Sequence, residues 1–125
     1  MDSRQPCRSC GRAPLLVPRA PKETPDREMP PIYVINLDRS TDRWSAIERS
    51  RDFGLDIRRV AGVDGRDIPP ADWIGTDAEK FRRCHGREIL PGEYGCYRSH
   101  LKALELVAAG PDPLAIITED DVTLP

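Results

Sequence analysis

The chain has 125 residues, with 19 Lys and Arg against 21 Asp and Glu (net charge −2), 13 prolines and 38% hydrophobic residues. That near balance calls for neither nucleic acid nor an anionic membrane as partner, and the length allows one small domain. The longest apolar stretch near the start, Leu15-Leu16-Val17, is too short for a signal sequence or a membrane span, so the expected compartment is the cytoplasm.

Residues 1–31 read as a disordered, Pro-rich tail, with Pro6, Pro14, Pro18, Pro21, Pro25, Pro30 and Pro31 among scattered charges. Inside it, Cys7-Arg8-Ser9-Cys10 has the CxxC spacing of half a zinc site, which Cys84-His85 alone is able to complete. The other reading is a reduced pair in an unstructured tail. The folded domain is expected over 32–125.

Ile32-Tyr33-Val34-Ile35-Asn36-Leu37 is a β-prone run, apolar on both faces, as a central parallel strand requires. Asp38 to Asp42 supplies turn and N-cap chemistry. A helix is predicted over 41–53, with Trp44, Ile47 and the stem of Arg51 inward and a stop at Gly54. Residues 55–60 alternate like a half-exposed strand, and 61–66 form a loop with an Asp-Gly turn. Residues 67–90 are polar and broken by Pro69-Pro70, with a short helix predicted over 76–83. From Gly92 the period is helical, with Tyr94, Tyr97, Leu101, Leu104 and Ala108 on the inner face, Glu93 in the first turn and Gly110 at the end. Residues 114–118 then read as a buried strand. This order predicts an α/β fold with a mainly parallel sheet of about three strands, the last at an unprotected edge.

The last strand runs into Glu119-Asp120-Asp121. Three adjacent carboxylates share a dry site only with a cation between them, and hard oxygen donors suit Mg²⁺ or Mn²⁺. The alternative is a solvated acidic turn. Neither GxGxxG nor GxxxxGK[ST] occurs, so the usual dinucleotide and P-loop fingerprints are absent. The chain holds two histidines, His85 and His100, and His100 fits either a structural role or one near a phosphate. Cys84 and Cys96 read as packing residues.

Four segments together resemble glycosyltransferase family 25, the lipopolysaccharide sugar transferases with relatives among the collagen galactosyltransferases. They are Tyr33-Val34-Ile35-Asn36-Leu37-Asp38-Arg39-Ser40-Thr41-Asp42-Arg43, Val63-Asp64-Gly65, Gly92-Glu93-Tyr94-Gly95-Cys96-Tyr97-Arg98-Ser99-His100-Leu101, and Ile116-Ile117-Thr118-Glu119-Asp120-Asp121-Val122. The resemblance implies a GT-A-like (Rossmann-like) nucleotide-sugar domain that commonly uses UDP-galactose with Mn²⁺ or Mg²⁺ and inverts at the anomeric carbon. It implies a hexose, galactose foremost, passed to a lipopolysaccharide-type glycan or glycolipid acceptor, which is compatible with peripheral association at a membrane.

By the same resemblance Asn36, Arg39, Arg43 and Asp64 lie near the nucleotide, with His100 as a further substrate contact. The metal falls to Glu119, Asp120 and Asp121, with Glu119 and Asp121 the outer pair. The family's domains continue past the acidic motif, so the catalytic base is expected from sequence beyond it, and this chain reads as an N-terminal, donor-side portion. Two further readings stand beside the enzyme: a non-catalytic remnant that binds nucleotide or metal, and a zinc-held interaction module built on Cys7 and Cys10.

Overall fold

The computed structural model describes residues 29–125. The expected tail and its CxxC pair fall almost wholly outside that span. Within it, three parallel strands form one sheet in the order β2-β1-β3: β1 (Ile32–Asn36), β2 (Ile57–Ala61) and β3 (Ile116–Glu119). Strand β1 is central, as its two-faced apolar run requires, and all five of its residues are buried. Ile32 pairs with Ile57 on one side and with Ile116 on the other.

Helix α1 (Thr41–Glu48) continues as a 3₁₀ helix, Arg49–Phe53, and closes on Gly54 at φ 80, a left-handed cap that suits glycine. The predicted single helix is therefore one α segment with a tightened last turn. On this side of the sheet, Ile32, Val34, Ile47 and Ile57 form a core with Trp44, Leu55 and Leu124 packed against it. The Arg51 guanidinium lies 5.9 Å from the Trp44 ring centre and donates to the Ile57 carbonyl at 2.9 Å.

The other face carries Tyr33, Ile35, Val60 and Ala103, flanked by Val107, Ala115 and Ile117. Strand β2 thus sends Ile57 to one core and Val60 to the other, so it is buried on both faces in places rather than alternating as expected. Strand β3 departs further. Ile116 is 40% exposed, whereas Ile57 on the other edge strand is buried, and the predicted buried strand is a half-open one.

After β2 the chain makes a 3₁₀ turn, Gly65–Asp67, and a second, Pro70–Asp72, before the short helix α2 (Ala78–His85) and the long helix α3 (Pro91–Ala109). Trp73 anchors the polar stretch by stacking on Tyr94 with ring centres 4.6 Å apart. The Tyr94 hydroxyl accepts from the Ile74 amide at 3.2 Å. Glu93 accepts from the Leu90 amide at 2.8 Å and from both terminal nitrogens of Arg87, which closes the start of α3.

The buried face of α3 is Tyr94, Gly95, Ser99 and Ala103. The periodicity predicted Tyr97 and Leu104 there, yet these are 42% and 54% exposed. The reason is close backbone approach. A Cβ at Gly95 would lie 2.5 Å from the Val63 carbonyl oxygen, and one at Gly65 only 1.8 Å from the Pro91 carbonyl oxygen. Small residues are what admit the loop, so the large ones turn outward. Among the described residues, no helix is long and apolar enough to cross a membrane.

Candidate active site

The chain passes from β1 to β2 on one side of β1 and returns to β3 on the other, so the strand order reverses at β1. Open parallel sheets bind ligands at such a switch point, outside the carboxyl ends of the strands. A cleft of about 460 Å³ opens there. Its wall from the β1 end includes Leu37, Arg39, Ser40 and Arg43. The loop after β2 adds Asp64, Gly65 and Arg66, helix α3 adds Cys96, Ser99 and His100, and the end of β3 adds Glu119 and Asp120.

Asp120 is set by its neighbours. The Asn36 side-chain amide donates to Asp120 Oδ2 at 2.7 Å and to the Ser40 carbonyl at 3.0 Å, and Arg43 donates to Asp120 Oδ1 at 3.2 Å. The remaining polar atom of Asn36, Oδ1, accepts from Arg59 Nε at 2.9 Å. Asn36 is 2% exposed and does not line the cleft; it lies beneath the cleft and aims the carboxylate. A buried amide with every group engaged rigidifies what it holds.

Asp64 faces the cleft from the opposite side. It caps the 3₁₀ turn by accepting from the Arg66 amide at 3.1 Å and from the Arg66 guanidinium at 3.1 and 3.0 Å, and it pairs with Arg39 as well. These contacts, first of all the Arg66 side chain and then its backbone N–H, pull the Asp64 carboxyl down to about 2. The loop is fastened from below by Ser99, whose hydroxyl accepts from the Val63 amide at 2.8 Å and donates to the Gly95 carbonyl at 2.7 Å.

On α3, Cys96 and His100 are one turn apart. Cys96 Sγ lies 3.4 Å from Glu119 Oε1, and His100 Nε2 lies 3.9 Å from the same oxygen. Burial first, then the bond to Glu119 and its charge, push the Cys96 thiol up.

Of the residues singled out in the sequence, Arg39, Arg43, Asp64, His100, Glu119 and Asp120 meet at one cleft. Asp121 is exposed in the turn after β3 and does not line it. Arg66, Cys96 and Ser99 also belong to the cleft. Cys96 and His100 at i, i+4 were a readable signal, and Arg66 adjoins the Val-Asp-Gly segment; Ser99 had no signal beyond its place in the motif.

The donor chemistry admits a hard cation. Glu119 and Asp120 both line the cleft, and each Asp120 oxygen has acceptor capacity beyond its one contact, to Asn36 or to Arg43; Mg²⁺ or Mn²⁺ is commonly held through one or two carboxylates with phosphate and water oxygens completing the set. The cleft therefore has cationic and anionic groups side by side.

The family model described as "Glycosyltransferase family 25 (LPS biosynthesis protein)" matches residues 29–125. A "Glycosyltransferase 25 family member" of Aedes aegypti is 31% identical over 113 residues, covering 86% of this chain and 18% of that protein. One of the same description from Anopheles gambiae is 29% identical over 99 residues, covering 73% of this chain and 16% of its own length. The chain thus spans under a fifth of the curated relatives it matches. No solved structure matches it. With the family model covering all the described residues, the chain belongs to glycosyltransferase family 25.

Proposed function

We propose that the cleft holds the diphosphate end of a nucleotide sugar, and that this chain is the donor-binding part of a GT-A-type transferase. The reaction is transfer of a hexose, galactose foremost, to a glycan or glycolipid acceptor. The observation that supports it best is the placing of Arg39, Arg43 and Arg66 against Glu119 and Asp120 around one opening at the strand ends.

Departure of a nucleoside diphosphate builds negative charge on its oxygens. Guanidinium groups pair well with phosphate, and Arg43 reaches the cleft with only one carboxylate contact, to Asp120. Arg39 and Arg66 converge on Asp64, whose low pKa keeps it ionised; phosphate binding exchanges part of that ion pairing for phosphate contacts. Glu119 and Asp120 hold a divalent cation, Mn²⁺ or Mg²⁺, which when bound supplies charge neutralisation at the leaving diphosphate. Asn36 keeps Asp120 in position without touching the donor.

The test is thermal unfolding of the chain with UDP, with Mn²⁺ and with both. A ligand at 100 times its Kd raises stability by about 2.7 kcal/mol, so the transition rises when both are present. Asp120→Asn and Arg43→Ala abolish that rise while keeping a cooperative transition. A melting curve blind to UDP plus Mn²⁺ in the unaltered chain would overturn the reading.

A further inference from the structure

The cleft contains a second donor set, which shares Glu119 with the diphosphate reading and adds Cys96 and His100. Cys96, His100 and Glu119 bring one sulfur, nitrogen and oxygen donor each to within 4.8 Å of one another, and among the described residues no other three ligating side chains do so. Tetrahedral Zn²⁺, with bonds of about 2.3 Å to sulfur and about 2.0–2.2 Å to nitrogen and oxygen, separates its ligand atoms by roughly 3.4–3.6 Å. Cys96 Sγ and Glu119 Oε1 are already 3.4 Å apart, and His100 Nε2 is 3.9 Å from that oxygen. The sulfur lies 3.6 Å from the other ring nitrogen, Nδ1, and the three donors stand within 4.8 Å of one another, so side-chain rotation at His100 and Glu119 is what draws the set together.

The imidazole is also oriented for the task. His100 Nδ1 lies 3.0 Å from the Cys96 carbonyl, which accepts only, so Nδ1 carries the proton and Nε2 offers its lone pair towards Glu119. A backbone carbonyl on the far ring nitrogen is the usual support of a metal-bound histidine. The two ligands on one helix face are a turn apart on α3, and the third is fixed at the end of β3, so the set is held by regular elements on both sides.

We propose that Cys96, His100 and Glu119 form a thiolate–imidazole–carboxylate site for Zn²⁺, with its fourth position open to the cleft. Three protein ligands with one open position are the arrangement of reactive rather than purely structural zinc. On binding, the Cys96 S–H bond breaks and its proton passes to solvent, as coordination of a thiol demands. Soft sulfur and imidazole donors select Zn²⁺ over Mn²⁺ or Mg²⁺, which keep to oxygen. Because Glu119 serves both donor sets, Zn²⁺ here competes with the hard cation of the donor site.

The experiment uses the full chain with Cys7, Cys10 and Cys84 changed to Ser, stripped with chelator and titrated with Co²⁺ as the probe for Zn²⁺. The expected result is a near-ultraviolet thiolate-to-cobalt band that saturates at one equivalent and vanishes when Zn²⁺ is added. Further change of Cys96→Ser removes the band, and His100→Ala weakens Co²⁺ binding about tenfold or more. Absence of the band in the Cys96-containing protein overturns the proposal without any variant at the site, and so does a band indifferent to His100→Ala. Asp120→Asn separates the two readings of the cleft: it abolishes the response to UDP plus Mn²⁺ and leaves the cobalt band in place. A band without any UDP response would retain the zinc site and remove the donor reading.

Discussion

Gly92 and Gly95 stand three residues apart on α3, and alanine at the two positions has opposite effects. In a helix, alanine exceeds glycine by about 1 kcal/mol through lost backbone freedom in the unfolded chain. At Gly92 a Cβ meets nothing within 4 Å, so the gain survives, reduced to about 0.5 kcal/mol by the position's place in the first turn. At Gly95 the Cβ sits 2.5 Å from the Val63 carbonyl oxygen and 2.8 Å from the Gly65 nitrogen. Both are backbone atoms of a loop that Ser99 ties to the helix, so neither swings away as a side chain does. Overpacking of this kind costs about 1–3 kcal/mol, and rigid backbone on both sides places it near the upper end. Net of the helical gain, Gly95→Ala costs about 2 kcal/mol. For a domain of this size each kcal/mol moves Tm by about 4–8 °C, so Gly95→Ala melts about 8–16 °C lower. Gly92→Ala melts a few degrees higher, about 2–4 °C by the same scaling. Differential scanning calorimetry on the three proteins reads both numbers. Equal or raised stability in Gly95→Ala would show that the loop and the helix are not in contact as described.

Ser99→Ala removes the acceptor for the Val63 amide in a buried place, and an unpaired buried donor costs about 1–3 kcal/mol, which urea unfolding measures. No loss of stability would mean that the loop hangs from something else. Asp64 has its pKa lowered to about 2 in the folded chain, below the ordinary carboxylate value, so its stabilising effect is complete above pH ~4 and is lost as pH falls towards ~2. Asp64→Asn therefore flattens the dependence of stability on pH between those limits, and parallel curves for the two proteins would sink the assignment.

Much of the fold was legible because it rests on local patterns. Ile32 to Ile35 is apolar at every position, on both faces, which is the pattern of a strand covered on both sides. Gly54 and Gly110 punctuate the helices where predicted. The face of α3 was not legible. A periodicity argument ranks Tyr97 and Leu104 above Gly95 and Ser99 by hydrophobicity, whereas the contact is chosen by how near two backbones come. The exposure of Ile116 was likewise hidden, since an apolar run does not say which of its side chains the flanking elements cover. At the site, the residue types were readable from four segments, but their partners were not. Nothing local joins Asn36 to Asp120 or Cys96 to Glu119, and those pairings decide which carboxylate is held in place and which donors converge.

The register of the sheet also ranks its two pairings by the cost of closing the chain. Ile32 meets Ile57 across 25 residues of chain and Ile116 across 84. With closure entropy rising as the logarithm of loop length, the second pairing costs about 1 kcal/mol more than the first before any contact repays it. The β1 side of the cleft and the Asp64 loop thus belong to the more local part of the chain, while Glu119 and Asp120 arrive with the most distant pairing. A ligand that bridges Arg43 and Asp120 would clasp the ends of that longest loop, so occupancy of the cleft would favour the sheet's most costly pairing.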